Sequence, residues 1–173
     1  SHGNGILQDH QKALEWYVKA SEQGYAKAQF NLGMVYFDGL GVKQNYQKAF
    51  MWYTKAAEQG LAIAQTNLGL MYDKGIGAKK DNQKAFDWYM KAAQQGYDKA
   101  QFNLGMMYFD GQGVKQDYQE AFMWYKKAAE QGLAIAQFNL GVLFINGQGV
   151  QQNYQKASEW LMKASEQGDA RAQ

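Results

Sequence analysis

Apolar residues recur three and four positions apart along most of the chain, which is the spacing that places side chains on one side of an α-helix. Two stretches show it first: residues 27–38, which we call helix A, and residues 46–59, which we call helix B. The residues expected to form the core are Ala28, Leu32, Val35 and Tyr36 in helix A, and Ala49, Trp52, Tyr53 and Ala56 in helix B. Between the two helices, Gly39-Leu40-Gly41-Val42 predicts a tight reversal, because glycine adopts positive φ angles without steric cost.

Both ends of helix B carry capping signals. Asn45 precedes the helix and suits the N-cap position, where its side chain accepts hydrogen bonds from backbone N–H groups that lack a partner within the helix. Gly60 follows the helix and suits the left-handed C′ position. The same signals recur at Asp81, Asp117 and Asn153, and at Gly96, Gly132 and Gly168. The short connections predict that successive helices pack antiparallel.

The whole pattern repeats every 36 residues. All five tryptophans share one phase of the repeat: Trp16, Trp52, Trp88, Trp124 and Trp160. Because aromatic side chains dominate buried area, we expect the tryptophans to form the core between neighbouring repeats. A second period of 72 residues lies over the first, since residues 28–63 and 100–135 are identical except at Val35, Leu40, Asn45, Lys48 and Thr54. This indicates duplication of a two-repeat block, either natural or designed.

The motif Ala-x-x-x-Leu-Gly-x-x-Tyr-x-x-Gly-x-Gly-Val, followed by Ala-x-x-Trp-Tyr-x-Lys-Ala-Ala-x-x-Gly, resembles the Sel1-like repeat, a relative of the tetratricopeptide repeat. The resemblance implies an all-α, right-handed α-solenoid of antiparallel helix pairs, with about nine helices. It extends over one repeat domain, residues 1–173, with a partial repeat at 3–27, full repeats at 28–63, 64–99, 100–135 and 136–171, and the start of a truncated repeat at 172–173. Ser1-His2 is interpreted as a cloning remnant, the compartment is left open, and the closely matched repeats favour a bacterial source.

Helix A carries a second apolar stripe, formed first by Phe30, Met34 and Phe37. By resemblance to tetratricopeptide-like solenoids, the A helices line a concave groove, where aromatic and methionine side chains fit a peptide or helix. Asparagines beside the stripe offer a donor and an acceptor to a peptide backbone. The predicted partner-binding residues are Phe30, Asn31, Met34, Phe37, Asn67, Leu70, Phe102, Asn103, Met106, Phe109, Phe138, Asn139, Val142 and Ile145.

An alternative for the same residues stays open. In it, the phenylalanines are buried against adjacent A helices and the asparagines tie helices together. Polar Thr66 and Asp73 replace two of the phenylalanines in the second full repeat, which favours a groove with an uneven lining over obligatory packing.

Composition argues against several function classes. The net charge of +2, from 18 basic and 16 acidic residues without long runs of one sign, gives no reason to expect nucleic acid as a partner. No apolar run is long enough to insert into a membrane. There is no cysteine, the histidines are His2 and His10, and no serine begins a Ser-x-x-Lys motif. We therefore expect no catalytic residue, no metal and no cofactor.

The sequence thus predicts a non-enzymatic scaffold or adaptor that binds a protein or peptide through the concave A-helix face. Relatives in the resembled family act as adaptors, and some secreted, cysteine-rich ones are associated with β-lactams. Two alternatives stay open: a β-lactam-binding or β-lactamase-like protein, and a spacer or oligomerisation element that self-associates through uncapped terminal repeats.

Overall fold

The computed structural model describes residues 15–168, and within that range every regular element is an α-helix. The all-α prediction is therefore confirmed for these residues. Helical residues 15–22 are α1. The helices that follow are α2 (Ala26–Asp38), α3 (Tyr46–Glu58), α4 (Ala62–Lys74), α5 (Asn82–Gln94), α6 (Asp98–Asp110), α7 (Tyr118–Glu130), α8 (Ala134–Asn146) and α9 (Tyr154–Glu166). Even-numbered helices are A helices, and odd-numbered ones are B helices.

The described residues fall into two compact units, and the boundary lies within α5, between Trp88 and Tyr89. In the first unit α2 packs on α3, and α3 packs on α4. In the second unit α6 packs on α7, α7 on α8, and α8 on α9. The helices named in these pairs are neighbours along the chain, as expected of a repeat protein.

The capping predictions are confirmed. The Asn45 side chain accepts a hydrogen bond from the Lys48 backbone N–H at 2.9 Å, and Asp117 accepts from the N–H groups of Gln119 and Glu120. Gly60 has a φ angle of 89° after α3, and Gly39 has one of 73° after α2. These local signals fix where each helix ends, and so they set the lengths of the connections.

Glycine inside helix A allows the close approach of helix B. An added Cβ atom at Gly33 would lie 2.6 Å from Cδ1 of Tyr53, and one at Gly105 would lie 2.6 Å from Cδ1 of Tyr125. These separations are too short for van der Waals contact. Each tyrosine ring therefore rests on the bare backbone of the preceding A helix, where no larger residue fits.

A ladder of buried glutamines, which the sequence analysis missed, connects three consecutive helices. Gln29 donates from Nε2 to the Ser21 carbonyl at the end of α1, and its Oε1 accepts from Gln59 after α3. Gln101 repeats this arrangement with the Ala93 carbonyl and Gln131. Because an unpaired buried amide is costly, each glutamine needs both neighbours in place. Gln65 and Gln137 are also buried and donate to the carbonyls of Ala57 and Ala129.

The prediction that all five tryptophans form the core is wrong in part. Trp124 is buried, with 7% of its surface exposed, whereas Trp16 is 71% exposed. Trp52, Trp88 and Trp160 are half-buried. A lysine three residues later lies over the ring of each of four tryptophans, Trp16, Trp52, Trp124 and Trp160. Lys127 Nζ, for example, lies 4.2 Å from the centre of the Trp124 ring. The exposed fraction of this position therefore differs from repeat to repeat.

Candidate functional site

The first unit contains an open pocket between two consecutive A helices, which we call pocket 1. Its volume is about 320 Å³. The α2 residues Phe30, Met34 and Phe37 form one wall, with Asp38 at the end of the helix. Tyr53 from α3 also lines it. The remaining wall consists of Ile63, Asn67, Leu70, Met71 and Ile76.

The second unit contains an equivalent pocket, which we call pocket 2, with a volume of about 360 Å³. Nine of its ten lining residues follow those of pocket 1 by 72 positions. They are Phe102, Met106, Phe109, Asp110, Tyr125, Ile135, Asn139, Val142 and Leu143. Phe138 completes the lining at the position that Thr66 occupies in the first unit. The internal duplication has therefore produced the same pocket twice.

The structure brings eleven of the fourteen predicted partner-binding residues into these two pockets. The other three are Asn31, Asn103 and Ile145. Asn31 and Asn103 are half-buried in α2 and α6, outside either lining. Ile145 lines a separate surface depression beside α9, together with Tyr154, Leu161 and Met162.

Phe30 and Phe102 require a correction. The sequence analysis placed them outside the core, but each is 9% exposed and belongs to the buried core of its unit. The ring centre of Phe30 lies 5.6 Å from that of Tyr53, and Phe102 lies at the same distance from Tyr125. Each tyrosine ring packs on the backbone of a glycine, Gly33 or Gly105, and also packs against the phenylalanine ring. These phenylalanines thus form the pocket floor and part of the core.

The mouth of each pocket is formed by more exposed apolar side chains. Met34 is 37% exposed and Leu70 is 38% exposed, while Met106 in the second pocket is 39% exposed. Methionine has a flexible, polarisable side chain that adapts to the shape of what it contacts. The mouth therefore offers apolar surface that the fold itself does not bury.

Asparagines in the second A helix of each unit connect helices. Asn67 shares a side-chain hydrogen bond with Tyr53, and Asn139 shares one with Tyr125. Burial raises the pKa of the Tyr53 hydroxyl to about 12, and the negative charge of Asp38 acts in the same direction, while the hydrogen bond with Asn67 opposes both. Burial also raises the pKa of Tyr125. These interactions are the ones that the alternative role for the asparagines, tying helices together, requires at Asn67 and Asn139, and the partner-binding role of both residues stays a prediction.

Sequence reasoning missed the polar part of the pockets. Tyr53 was assigned to the core alone, and Asp38 and Asp110 were not connected with the apolar stripe. Asp38 lies one position after Phe37 and ends its helix, so it follows the apolar stripe directly. The signal that could have found it was the 72-residue period, which keeps both the stripe and the aspartate.

Residues 15–168 bring together no group of three or more His, Asp or Glu side chains that could hold a metal ion. Over the same residues, no helix has both the length and the apolar character that crossing a membrane requires.

Several solved structures are similar to this chain. A protective antigen of uropathogenic Escherichia coli with an SLR fold is 43% identical, with a TM-score of 0.90 over 92% of this chain and 34% of its own. A Sel1 repeat protein from Oxalobacter formigenes is 38% identical, with a TM-score of 0.87 over 92% of this chain and 63% of its own. An immunity protein of Pseudomonas aeruginosa, PA5088, is 28% identical, with a TM-score of 0.62 over 92% of this chain and 58% of its own. The chain therefore spans less than two thirds of each of these relatives. No curated protein sequence matches it significantly.

The Sel1 repeat family model matches five consecutive segments, residues 1–25, 26–61, 62–97, 98–133 and 134–169. Its boundaries fall two residues before those predicted from the sequence, at the first residues of α2, α4, α6 and α8. Sel1 repeat proteins generally mediate protein–protein interaction and are generally non-enzymatic scaffolds. The helix pairs and the 36-residue repeats agree with the α-solenoid fold of the solved relatives. This chain belongs to the Sel1 repeat family.

Proposed function

We propose that this chain is a non-enzymatic binding module that holds a protein or peptide partner on the face formed by its A helices, at pockets 1 and 2. The observation that carries the proposal is the occurrence of two equivalent open apolar pockets, one in each unit. Volumes of about 320 and 360 Å³ lie at the lower end of the range typical of ligand sites. Such a pocket suits a side chain from a partner better than a large cofactor.

The energetics of the pocket mouth support binding. Burying exposed apolar surface stabilises a complex by roughly 25 cal/mol per Å², and this gain is available at Met34, Leu70 and Met106 because the fold leaves them partly in water. The floor is already ordered, since Phe30 and Phe102 are packed against tyrosine rings. A preorganised floor reduces the entropy that binding would otherwise cost.

The test uses peptides selected for binding to the immobilised chain from a random display library. Their affinity is then measured by fluorescence anisotropy for Met34→Lys/Met106→Lys. The matched control is Met51→Lys/Met123→Lys, which changes the same residue type, at similar exposure, on helices α3 and α7. Neither control residue lines pocket 1 or pocket 2.

We expect the first double variant to weaken binding by at least tenfold and the control to change it by less than twofold. A lysine at the mouth would place a charge against the apolar part of the pocket, where its desolvation costs free energy, and a loss of about 1.4 kcal/mol corresponds to tenfold. Equal affinities for the two double variants would show that the partner binds elsewhere, and the proposal would then be wrong.

Self-association through terminal repeats is a second prediction from the sequence. Trp16 in α1 and Met162 in α9 are 71% and 61% exposed, so each presents apolar surface that a second copy could bury. Light scattering over a hundredfold concentration range tests this prediction. A mass that rises with concentration supports it, and a constant monomer mass contradicts it.

A further inference from the structure

The two pockets share one charged residue, and it is acidic in both. Asp38 is the single charged residue that lines pocket 1, and Asp110 is the single charged residue that lines pocket 2. Both are exposed. Among residues 15–168, neither carboxylate forms an ion pair within the chain. Each pocket therefore combines an apolar interior with a negative charge that has no cationic partner from the described chain.

The position of these aspartates is unfavourable for the fold itself. Asp38 ends α2 and Asp110 ends α6, where the partial negative charge of the helix C-terminus disfavours an anion. The same position in α4 is Lys74, which suits the helix end, and in α8 it is Asn146, which is neutral. The repeat thus does not require an acid at this position. An acid occurs in the helix that supplies the phenylalanine floor of each pocket.

Each carboxylate acts electrostatically on the polar end of its pocket. The charge of Asp38 raises the pKa of the Tyr53 hydroxyl, and Asp110 has the same effect on Tyr125. The aspartate therefore lies close enough for its field to reach the tyrosine at the pocket wall. A cation bound beside the pocket would meet this charge together with the apolar floor.

We infer that pockets 1 and 2 each bind a large apolar side chain that is flanked by lysine or arginine in an extended basic peptide. This inference rests on the proposed function and specifies its ligand. The apolar side chain enters between the phenylalanine floor and the methionine at the mouth, and the flanking cation pairs with Asp38 or Asp110. Because the two linings are equivalent, one chain binds two such short peptides.

The test uses methyl NMR of the chain labelled with ¹³C at the methionine methyl groups. Met34 reports on pocket 1 and Met106 reports on pocket 2, while Met51 and Met123 are exposed controls outside both linings. Single Met→Leu substitutions assign the signals. The probes are three blocked tripeptides: acetyl-Arg-Leu-Arg-amide, acetyl-Glu-Leu-Glu-amide and acetyl-Arg-Ala-Arg-amide.

We expect acetyl-Arg-Leu-Arg-amide to shift the Met34 and Met106 signals in a saturable way and to leave Met51 and Met123 unchanged. The glutamate tripeptide and the alanine tripeptide should each bind at least threefold more weakly. Binding of the arginine–leucine peptide should weaken as NaCl is raised from 50 mM to 1 M, because salt screens an exposed ion pair.

Two isosteric variants provide internal controls. Asp38→Asn should weaken the binding reported by Met34 by about two- to fivefold, the range expected for an exposed ion pair, and leave the binding reported by Met106 unchanged. Asp110→Asn should do the reverse. Both variants should keep the wild-type melting temperature or raise it, because the lost charge opposed the helix dipole.

The outcomes separate this inference from the proposed function. If the arginine and glutamate tripeptides shift Met34 and Met106 equally, the pockets bind apolar side chains and the charge preference is overturned. If no probe shifts these signals, the inference is overturned, and the display-selected peptides with the lysine variants still decide whether the A-helix face binds a partner. If Asp38→Asn changes both signals alike, two independent sites are excluded.

Discussion

Replacing Phe102 by alanine tests whether this side chain belongs to the core or only to a binding surface. Phe102 is 9% exposed, and its ring packs 5.6 Å from the Tyr125 ring. Truncating a buried phenylalanine to alanine costs about 3–5 kcal/mol. The side chain also faces a pocket of about 360 Å³ that is open to water, so part of the new space can be hydrated. We therefore expect a loss near 3 kcal/mol, at the lower end of that range.

Met106→Ala is the matched comparison, because Met106 lines the same pocket on the same helix but is 39% exposed. Its loss should be under about 1 kcal/mol, as for most partly exposed positions. At about 2–4 °C per kcal/mol for a chain of this length, Phe102→Ala should lower the melting temperature by about 6–12 °C.

Urea titrations followed by both tryptophan fluorescence and far-UV circular dichroism measure the two free energies of unfolding. Coincident transitions establish that each variant unfolds in one step, which is needed before the values are compared. Equal losses for the two variants would refute the assignment of Phe102 to the core. So would a loss below about 0.5 kcal/mol for Phe102→Ala.

Three further predictions concern the fold. Gln137→Leu should lower the free energy of unfolding by about 1–3 kcal/mol, because it removes a buried amide that donates to the Ala129 carbonyl and accepts from Gln167. A urea titration measures this loss. A loss no larger than that of a surface Gln→Leu change would contradict the prediction. Trp124→Ala should lower the free energy of unfolding by about 3–5 kcal/mol, whereas Trp16→Ala should change it by no more than about 0.5 kcal/mol, since the exposed fractions of the two side chains are 7% and 71%. Equal melting temperatures for the two variants would show that burial does not distinguish these positions. Stability should fall as the pH rises from about 10 towards about 12, because the Tyr53 hydroxyl has its ordinary pKa only in the unfolded chain, whereas its pKa in the folded chain is raised to about 12. Thermal melts at stepped pH should show a shallower fall of stability for Tyr53→Phe than for the unsubstituted chain. An unchanged slope would exclude this tyrosine as a contributor.

The helices and their ends could be predicted from the sequence because the signals are local. Asn45 caps α3 through a backbone group three residues away, and Gly60 ends that region through its own φ angle. Neither depends on distant parts of the chain. Because these signals recur every 36 residues, the elements predicted for one repeat could be assigned to the other repeats as well.

The roles of apolar residues on one stripe could not be predicted in the same way. Phe30 and Met34 are four residues apart and both apolar, yet one is the pocket floor and the other its mouth. What separates them is Tyr53, which comes from the next helix and covers Phe30. The position of that ring depends in turn on the absence of a side chain at Gly33. Packing between helices, which a periodic pattern does not contain, decides the difference.

The burial of the glutamines and the unequal burial of the tryptophans could not be predicted, for related reasons. A polar residue in a helix is usually assigned to the surface. Gln101 is nevertheless buried, because its side chain donates a hydrogen bond to the Ala93 carbonyl near the end of the preceding helix. Trp16 and Trp124 hold the same phase of the repeat and differ tenfold in exposure. Equal sequence positions therefore receive unequal surroundings, which only the helices around them determine.

A crystal structure of the chain with a display-selected peptide would show whether the A-helix pockets hold the partner. We expect a large apolar side chain of the peptide to lie against Phe102 and Met106 or against their counterparts, Phe30 and Met34. We also expect a basic side chain of the peptide beside Asp110 or Asp38. A peptide bound on the B helices, with both pockets left open, would show that the partner binds elsewhere.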